Sequence, residues 1–335
     1  MINILITSAG KRVLLTREFM IELKQVFNDD KVYTCDMNPM MSPAGVISDG
    51  CFRVPPCSSE DYIETLLTLC IEHRIGLIIP TIDTELAVLS ANKDIFAKRG
   101  VRVVVPDYDF VMKCLDKRKT DKLFKQYIIN TPAPRDKYHP EYPMFAKPYD
   151  GSRSENIHII HKSEDLTSDI LNDPKLLFMD NVNKEENKEF TVDMYYGRDN
   201  HVKSIVPRER IEVRDGEVSK GITRNNYMVD YLKERMEYIP GVVGSICVQL
   251  FYRKTDDDVL GIEINPRFGG GYPLSYCAGA NFPRMIIEEY LMCKKLEYSD
   301  DWYDQTIMLR YDDEIIVYND GEKQRRSVRF GRYAV

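Results

Sequence analysis

The sequence lacks the marks of several functional classes. No stretch approaches the roughly 18 consecutive apolar residues of a membrane span. There is no basic excess: 46 Lys plus Arg stand against 53 Asp plus Glu, a formal charge of −7. A general nucleic-acid binder is therefore not expected, and only a local basic groove stays open. The eight cysteines are scattered, with no CxxC pair and no Cys/His cluster at zinc spacing. They read as reduced, mostly buried thiols of a cytoplasmic protein, with a redox or zinc site as the alternative. The five histidines form no catalytic set. His158 and His161 have HxxH spacing, but in a strand-like context where a metal role is not expected. The apolar run Ile2–Ile6 is preceded by no basic segment and followed by no small-residue cleavage site, so it reads as a first strand and not a leader. Internal repeats and low-complexity segments are absent, and the ordinary composition excludes disorder, collagen and coiled coil.

What is present is 335 residues, room for two domains of about 150 residues each. The first hundred alternate strand and helix. Strands are expected at Ile2–Thr7, Lys31–Cys35, Leu77–Ile79 and Val101–Val105. Helices are expected at Val13–Phe27, with Val13, Leu14, Phe19, Leu23, Val26 and Phe27 on one apolar side, at about Glu60–His73, and from Asp83 to Arg99. Repeated βα units imply a doubly wound parallel sheet. The loops at Thr7–Lys11, Asp36–Pro39 and Pro80–Glu85 would share the carboxyl rim where such sheets bind ligands. The first loop lacks GxGxxG, and Arg12 after Lys11 breaks the P-loop ending, so a structural turn is the plainer reading.

One helix is expected over Tyr108–Tyr127, then a rigid break at Asn130–Pro134. Beyond it short strands dominate: Met144–Lys147, Asn156–Ile160, Lys175–Met179, Phe190–Tyr196, Val202–Val206, Ile211–Arg214 and Val218–Thr223, with a hairpin turn at Asp215-Gly216. A helix near Asn226–Tyr238 precedes strands at Gly244–Tyr252 and Val259–Ile264, and a glycine-rich loop leads to a helix over Phe282–Cys293.

Four features carry chemistry. Glu263 and Asn265 are two apart at a strand end, so they share a face, and Gln249 lies on the neighbouring strand. These three oxygen donors can converge on Mg²⁺, and Arg267, in phase with them, can offset phosphoryl-transfer charge. A solvated strand end is the alternative. Lys147 closes a strand, and the small residues after it let backbone N–H groups approach a phosphate. Glu189 enters a strand where an acid can accept hydrogen bonds from ribose hydroxyls, a solvated side chain being the plainer reading of this position alone. Lys117 follows Asp116 on a helix, where a solvated side chain is the plain reading. On the substrate side, Arg208, Arg210 and Lys220 can hold a carboxylate or phosphate. Tyr272 and Ser275 follow the metal motif and can line an acceptor pocket.

Taken together, the four features resemble the ATP-grasp superfamily, in particular single units related to the carbamoyl-phosphate synthase large subunit. The resemblance covers nearly the whole chain and is most specific at Gln249–Glu263–Asn265–Arg267. It implies an α/β protein with an N-terminal doubly wound domain (1–112), a two-lobed α+β domain (113–188 and 189–311) and a C-terminal extension (312–335). It also implies ATP and one or two Mg²⁺ as cofactors, with Mn²⁺ able to substitute. Lys117 and Lys147 look like the lysines on phosphates and adenine. Ser152, Arg153 and Ser154 look like the loop over the triphosphate, and Met179, Asp180, Asn181 and Val182 like the adenine hinge. Glu189 is similar to the ribose acid, Gln249, Glu263 and Asn265 to the metal ligands, and Arg267 to the catalytic arginine. Two departures stand out: the hinge has no clear Glu at its start, and Gln249 and Cys247 stand where peptide-ligase members often have Asp and Arg. The activity implied is a carboxylate–amine or carboxylate–thiol ligase working through an acyl phosphate, in a cytoplasmic protein that forms a homodimer and acts on small molecules, with neither nucleic acid nor membrane as partner. The alternatives are phosphorylation of bicarbonate or carbamate with a partner subunit, and a nucleotide-binding regulator without turnover. A dinucleotide oxidoreductase is disfavoured by the first loop.

Overall fold

The computed structural model describes residues 2–151, 155–214, 216–319 and 324–326. It divides into two compact units. Unit 1 comprises 1–104, 283–294 and 309–335, and unit 2 comprises 105–282 and 295–308. The first boundary thus falls at Val104, ahead of both residue 112 and the Asn130–Pro134 break, and the chain returns to unit 1 after Phe282.

Unit 1 runs β1 (Asn3–Ile6), α1 (Val13–Val26), β2 (Val32–Asp36), α2 (Pro43–Ile47), β3 (Cys51–Arg53), α3 (Tyr62–Glu72), β4 (Ile75–Ile79), α4 (Asp83–Ala91), α5 (Lys93–Ala97) and β5 (Arg102–Val103). The five strands are parallel in the order β3-β2-β1-β4-β5. Helical crossovers bury a parallel sheet on both faces, which is why β1 and β4 are continuous apolar runs and Ile4–Ile6 are fully buried. On α1 the core side is Leu15, Phe19 and Leu23, spaced by four, whereas Leu14 is half exposed. The last expected helix breaks at Asn92 into α4 and α5.

At the carboxyl rim, Glu85 is fully buried. Its carboxylate accepts the N–H groups of Thr81 (2.7 Å) and Ile82 (3.2 Å) and the hydroxyls of Ser8 (2.8 Å) and Tyr62 (3.0 Å). Ser8 sits in the left-handed region at φ 49°. Glu85 therefore ties the loops after β1 and β4 to α3, a structural use of the Pro80–Glu85 segment.

Unit 2 begins with α6 (Tyr108–Cys114) and α7 (Lys117–Gln126), two helices where one was expected. The break is local: Asp116 caps α7, its carboxylate accepting the Arg118 N–H at 2.9 Å. A small three-stranded sheet follows, β6 (Met144–Pro148), β7 (His158–Ile160) and β8 (Leu176–Asp180), in the order β7-β6-β8 and antiparallel, with α8 (Ser168–Asn172) between its last two strands. Met144, Ala146, Ile160, Leu176 and Phe178 form its core. The larger sheet comprises β9 (Lys188–Tyr196), β10 (Val202–Arg214), β11 (Glu217–Thr223), β12 (Gly244–Arg253) and β13 (Asp258–Asn265), with α9 (Met228–Met236) packed on β10. Then come α10 (Tyr272–Cys277) and the edge strand β14 (Ile307–Leu309), whereas α11 (Phe282–Leu291), all but its first residue, and the hairpin of β15 (Val317–Asn319) and β16 (Gln324–Arg326) belong to unit 1. Sheet order is β13-β12-β9-β10-β11-β14, with the first five strands antiparallel. The two strands expected at 202–206 and 211–214 are one continuous β10. No helix among the described residues is long and apolar enough to cross a membrane.

Candidate active site

The larger sheet has one apolar face and one polar face, as period-two alternation requires. Phe190, Val192, Met194, Val248, Leu250 and Ile264 are at most 2% exposed and form the core side. The opposite side carries Glu189, Thr191 and Asp193 of β9, Cys247 and Gln249 of β12, Glu263 and Asn265 of β13, and Arg208 and Arg210 of β10. Register places Arg208, Thr191, Gln249 and Glu263 in one row across four strands. A β-bulge between the Gln249–Glu263 and Leu250–Gly261 pairs makes this possible. Val259, Gly261 and Glu263 have the same parity, so an unbroken strand would turn Glu263 toward the core. The extra residue, Ile262, switches the phase.

Glu263 is the centre of the cluster. Its Oε1 accepts from Gln249 Nε2 at 2.8 Å and Asn265 Nδ2 at 3.0 Å. Its Oε2 lies 3.9 Å from Lys117 Nζ. Lys117 arrives there because α7 packs tightly on β13: a Cβ on Gly261 would lie 2.7 Å from the Phe124 ring. The Lys117 ammonium also donates to the Gly151 carbonyl, and its N–H to Tyr149 O at 2.9 Å. Arg267 Nη1 donates to Phe268 O at 3.1 Å, and its Nη2 lies 3.5 Å from Asn265 Oδ1.

Lys147 lies on β6 opposite Leu177, on the side away from Met144 and Ala146. Burial pushes its ammonium pKa down, Glu263 pulls it back up, Lys117 lowers it and Glu189 raises it, leaving it at about 8. Glu189 faces Arg210, whose Nε is 3.1 Å from Glu189 Oε1, while Lys184 Nζ is 3.9 Å from Oε2. The Arg210 Nε is buried but makes no aligned hydrogen bond. Its guanidinium nitrogens reach Thr191 Oγ1 at 3.4 Å and Gly216 O at 3.1 Å. Lys117, Lys147, Glu189, Arg210, Gln249, Glu263, Asn265 and Arg267 are thereby brought together.

Other expected residues fall elsewhere. Arg208, Tyr272 and Ser275 are 1% exposed or less, so none meets a substrate at an open surface. Arg208 and Ser275 both bind Asp193, and the Tyr272 hydroxyl donates to Ala280 O at 2.8 Å. Lys220 pairs with Glu212 at 2.6 Å on a half-exposed hairpin. Met179 lies opposite Phe145, the Asp180 carboxylate is taken by Arg135, and Asn181 and Val182 follow half-buried. Ser152, Arg153 and Ser154 lie outside the described residues, as does Asp215 of the expected turn. A separate cavity of about 540 Å³, lined by Asp107, Phe110, Lys113, Tyr127 and Gly241 among others, contains none of the site residues. The role of Asp193 was not read from the sequence, where strand phase is the signal that places it on the polar face; Cys247, noted there only as a departure from the family pattern, proves to be its neighbour.

The donor set suits Mg²⁺: one carboxylate and two amide oxygens, all hard ligands, flanked by three cations that suit phosphate. Among the described residues no three His, Cys, Asp or Glu side chains are grouped to hold a metal by themselves. A cation at Glu263 would therefore complete its shell with oxygens of a bound nucleotide and water.

Two families match the sequence. The one described as "PylC-like, N-terminal domain" matches residues 4–104, and the one described as "ATP-grasp in the biosynthetic pathway with Ter operon" matches residues 172–308. No curated protein matches significantly. Among solved structures, the chain is similar to the biotin carboxylase domain dimer of Hydrogenobacter thermophilus 2-oxoglutarate carboxylase, in complex with MgADP, ADP and bicarbonate: TM-score 0.68, 15% identity, covering 90% of this chain and 72% of that one. It is also similar to the L-amino acid ligase of Bacillus licheniformis: TM-score 0.66, 18% identity, 89% and 75% covered. A third is the N5-carboxyaminoimidazole synthetase of Staphylococcus aureus complexed with ADP: TM-score 0.66, 14% identity, 90% and 80% covered. At these identities the likeness is one of fold. The chain therefore carries a PylC-like N-terminal domain followed by an ATP-grasp domain.

Proposed function

We propose that this protein is an ATP- and Mg²⁺-dependent ligase that joins a carboxylate to an amine or thiol through an acyl phosphate. The observation that carries the reading is the convergence on Glu263 of Gln249, Asn265 and Lys117, with Lys147 and Arg267 beside them. A general nucleophile is not needed. The substrate carboxylate attacks the γ-phosphorus of ATP in line, ADP leaves, and the amine then displaces phosphate from the acyl phosphate.

Each residue's task follows from its charge and place. Lys117 and Lys147 hold phosphate oxygens as point charges. Glu263, Gln249 and Asn265 would hold Mg²⁺, which when bound would neutralise phosphate charge. Arg267 faces the charge that develops during transfer. Glu189 accepts from ribose hydroxyls. Arg210, ion-paired with Glu189, is the substrate-side arginine of this reading. The ligands named for two of the neighbours, MgADP, ADP and bicarbonate in one and ADP in the other, support small-molecule chemistry of this kind. The test is ADP release over a panel of carboxylic acids, each with ammonia, amino acids or thiols. Release that needs both Mg²⁺ and one acid–nucleophile pair is expected. ADP release independent of any carboxylate would contradict the reading.

A further inference from the structure

The polar face of the larger sheet does not end at the metal cluster. One row along from Gln249 and Glu263, register sets Asp193, Cys247 and Asn265 side by side. Asp193 is fully buried and its carboxylate is surrounded by donors. Arg208 Nε donates to Oδ2 at 2.6 Å and Arg208 Nη2 to Oδ1 at 3.0 Å. Ser275 Oγ donates to Oδ2 at 2.6 Å and Cys247 Sγ to Oδ1 at 3.0 Å. A buried carboxylate–guanidinium pair is costly to desolvate, and with every lone pair used it holds its partners in one geometry.

The glycine loop after Arg267 lies directly on this pair. A Cβ on Gly271 would sit 2.3 Å from Arg208 Nη1 and 2.6 Å from Val218 Cγ1. A Cβ on Gly269 would sit 2.5 Å from Cys247 Sγ and 3.3 Å from Arg208 Nη2. Neither glycine is required by its φ angle: Gly271 presses on the pinned guanidinium and Gly269 on the Cys247 sulfur. Ser275, on α10 just beyond the loop, is held by the same carboxylate. Asp193 thus holds α10 through Ser275 at the far end of the loop, while Arg208 and Cys247 form the floor against which Gly271 and Gly269 pack. Arg267 enters that loop, and its guanidinium bonds to the Phe268 carbonyl at the loop's start.

We propose that the buried Asp193–Arg208 pair is a latch that seats the Phe268–Tyr272 loop and through it positions Arg267 for phosphoryl transfer. The part concerning Arg267 rests on the ligase reading above; the seating of the loop does not. Asp193 and Arg208 are positioning residues, since neither reaches the cleft.

The test has two arms. In the first, pulse alkylation with iodoacetamide, read by mass spectrometry, follows Cys247, which the loop covers, in wild type and Arg208→Lys. Exposed Cys277 and buried Cys114, in the same unit, serve as controls. The latch predicts labelling of Cys247 faster by about tenfold or more in Arg208→Lys, the equivalent of losing one charge-assisted hydrogen bond, with Cys114 unchanged; Asp193→Asn, which also alters the acceptor of the Cys247 thiol, is judged by the second arm alone. Unchanged Cys247 labelling, or Cys114 rising in step with it, overturns the latch. In the second arm, ADP release is measured for Arg208→Lys, Asp193→Asn and Arg267→Lys. The positioning role predicts kcat lower by about 10- to 100-fold with the MgATP KM within about twofold, and no further loss when Arg208→Lys is added to Arg267→Lys. Additive losses overturn it. If the first arm succeeds and wild type releases no ADP with any substrate, the ligase reading has failed and the latch has not.

Discussion

Gln249 and Glu263 stand directly opposite each other on antiparallel strands, and the Gln249 amide donates to the Glu263 carboxylate at 2.8 Å. The pair leaves one negative charge at the proposed metal position, and Glu263 carries it. Glu263→Gln keeps the shape and removes that charge. The side chain is about a quarter exposed, so the fold should survive, with a melting temperature within a few degrees. Mg²⁺-dependent nucleotide binding should be lost. Calorimetry with MgADP on folded variant checks this, and wild-type affinity would remove Glu263 from the metal role.

Lys147 gives the site a pH signature. Its pKa is lowered to about 8, chiefly by burial, so the ligand-free ammonium loses its proton earlier than an ordinary lysine. Nucleotide phosphate requires the protonated form. Affinity for ADP should therefore be flat below pH 8 and fall by up to about tenfold per pH unit above it, with a proton taken up on binding. Lys147→Arg, which stays charged, should flatten the profile. Calorimetry between pH 7 and 9.5, in buffers of different ionisation enthalpy, measures both effects. PH-independent binding by the wild type would contradict the assignment.

Gly261 carries the approach of α7 to β13. Gly261→Ala drives a methyl into the Phe124 ring, a clash that overpacking data place at about 1–3 kcal/mol. Because α7 also bears Lys117, ADP affinity should fall with stability. Adding Phe124→Leu makes room and should restore part of both. Denaturant unfolding and calorimetry on the single and double variants read the outcome.

Much of this was legible in the chain. The run Gln249…Glu263-Ile264-Asn265-Pro266-Arg267 names its own donors, and two-residue spacing puts Glu263 and Asn265 on one face. The apolar runs of β1 and β4 announce a buried parallel sheet. The bulge at Ile262 was not legible, because alternation by itself groups Glu263 with Val259 and Gly261. Nor was the fate of Arg208. It shares the row of Gln249, but strand phase does not say that the Gly269–Gly271 loop closes over that end of the face. The break between α6 and α7 was missed because the cap at Asp116 outweighs a helical pattern that runs through it. Leu14 was assigned to the core by hydrophobicity, and Leu15 occupies it.

In unit 1, Glu85 accepts two backbone N–H groups and two hydroxyls. Glu85→Gln replaces one acceptor oxygen with a donor that faces donors. Unfolding should be easier by about 1–3 kcal/mol, and Tyr62→Phe should cost less, since it removes one hydroxyl only. Chemical denaturation followed by circular dichroism measures this. A Gln variant as stable as wild type would show that the carboxylate does not hold the rim.

The most direct test of the account as a whole is calorimetric titration of ADP into the intact protein with and without Mg²⁺. The account predicts saturable binding at one site that tightens at least tenfold with Mg²⁺, and that the Mg²⁺ enhancement disappears in Glu263→Gln while weaker metal-free binding remains. Absence of ADP binding under both conditions, or binding indifferent to Mg²⁺ and to Glu263, would contradict it.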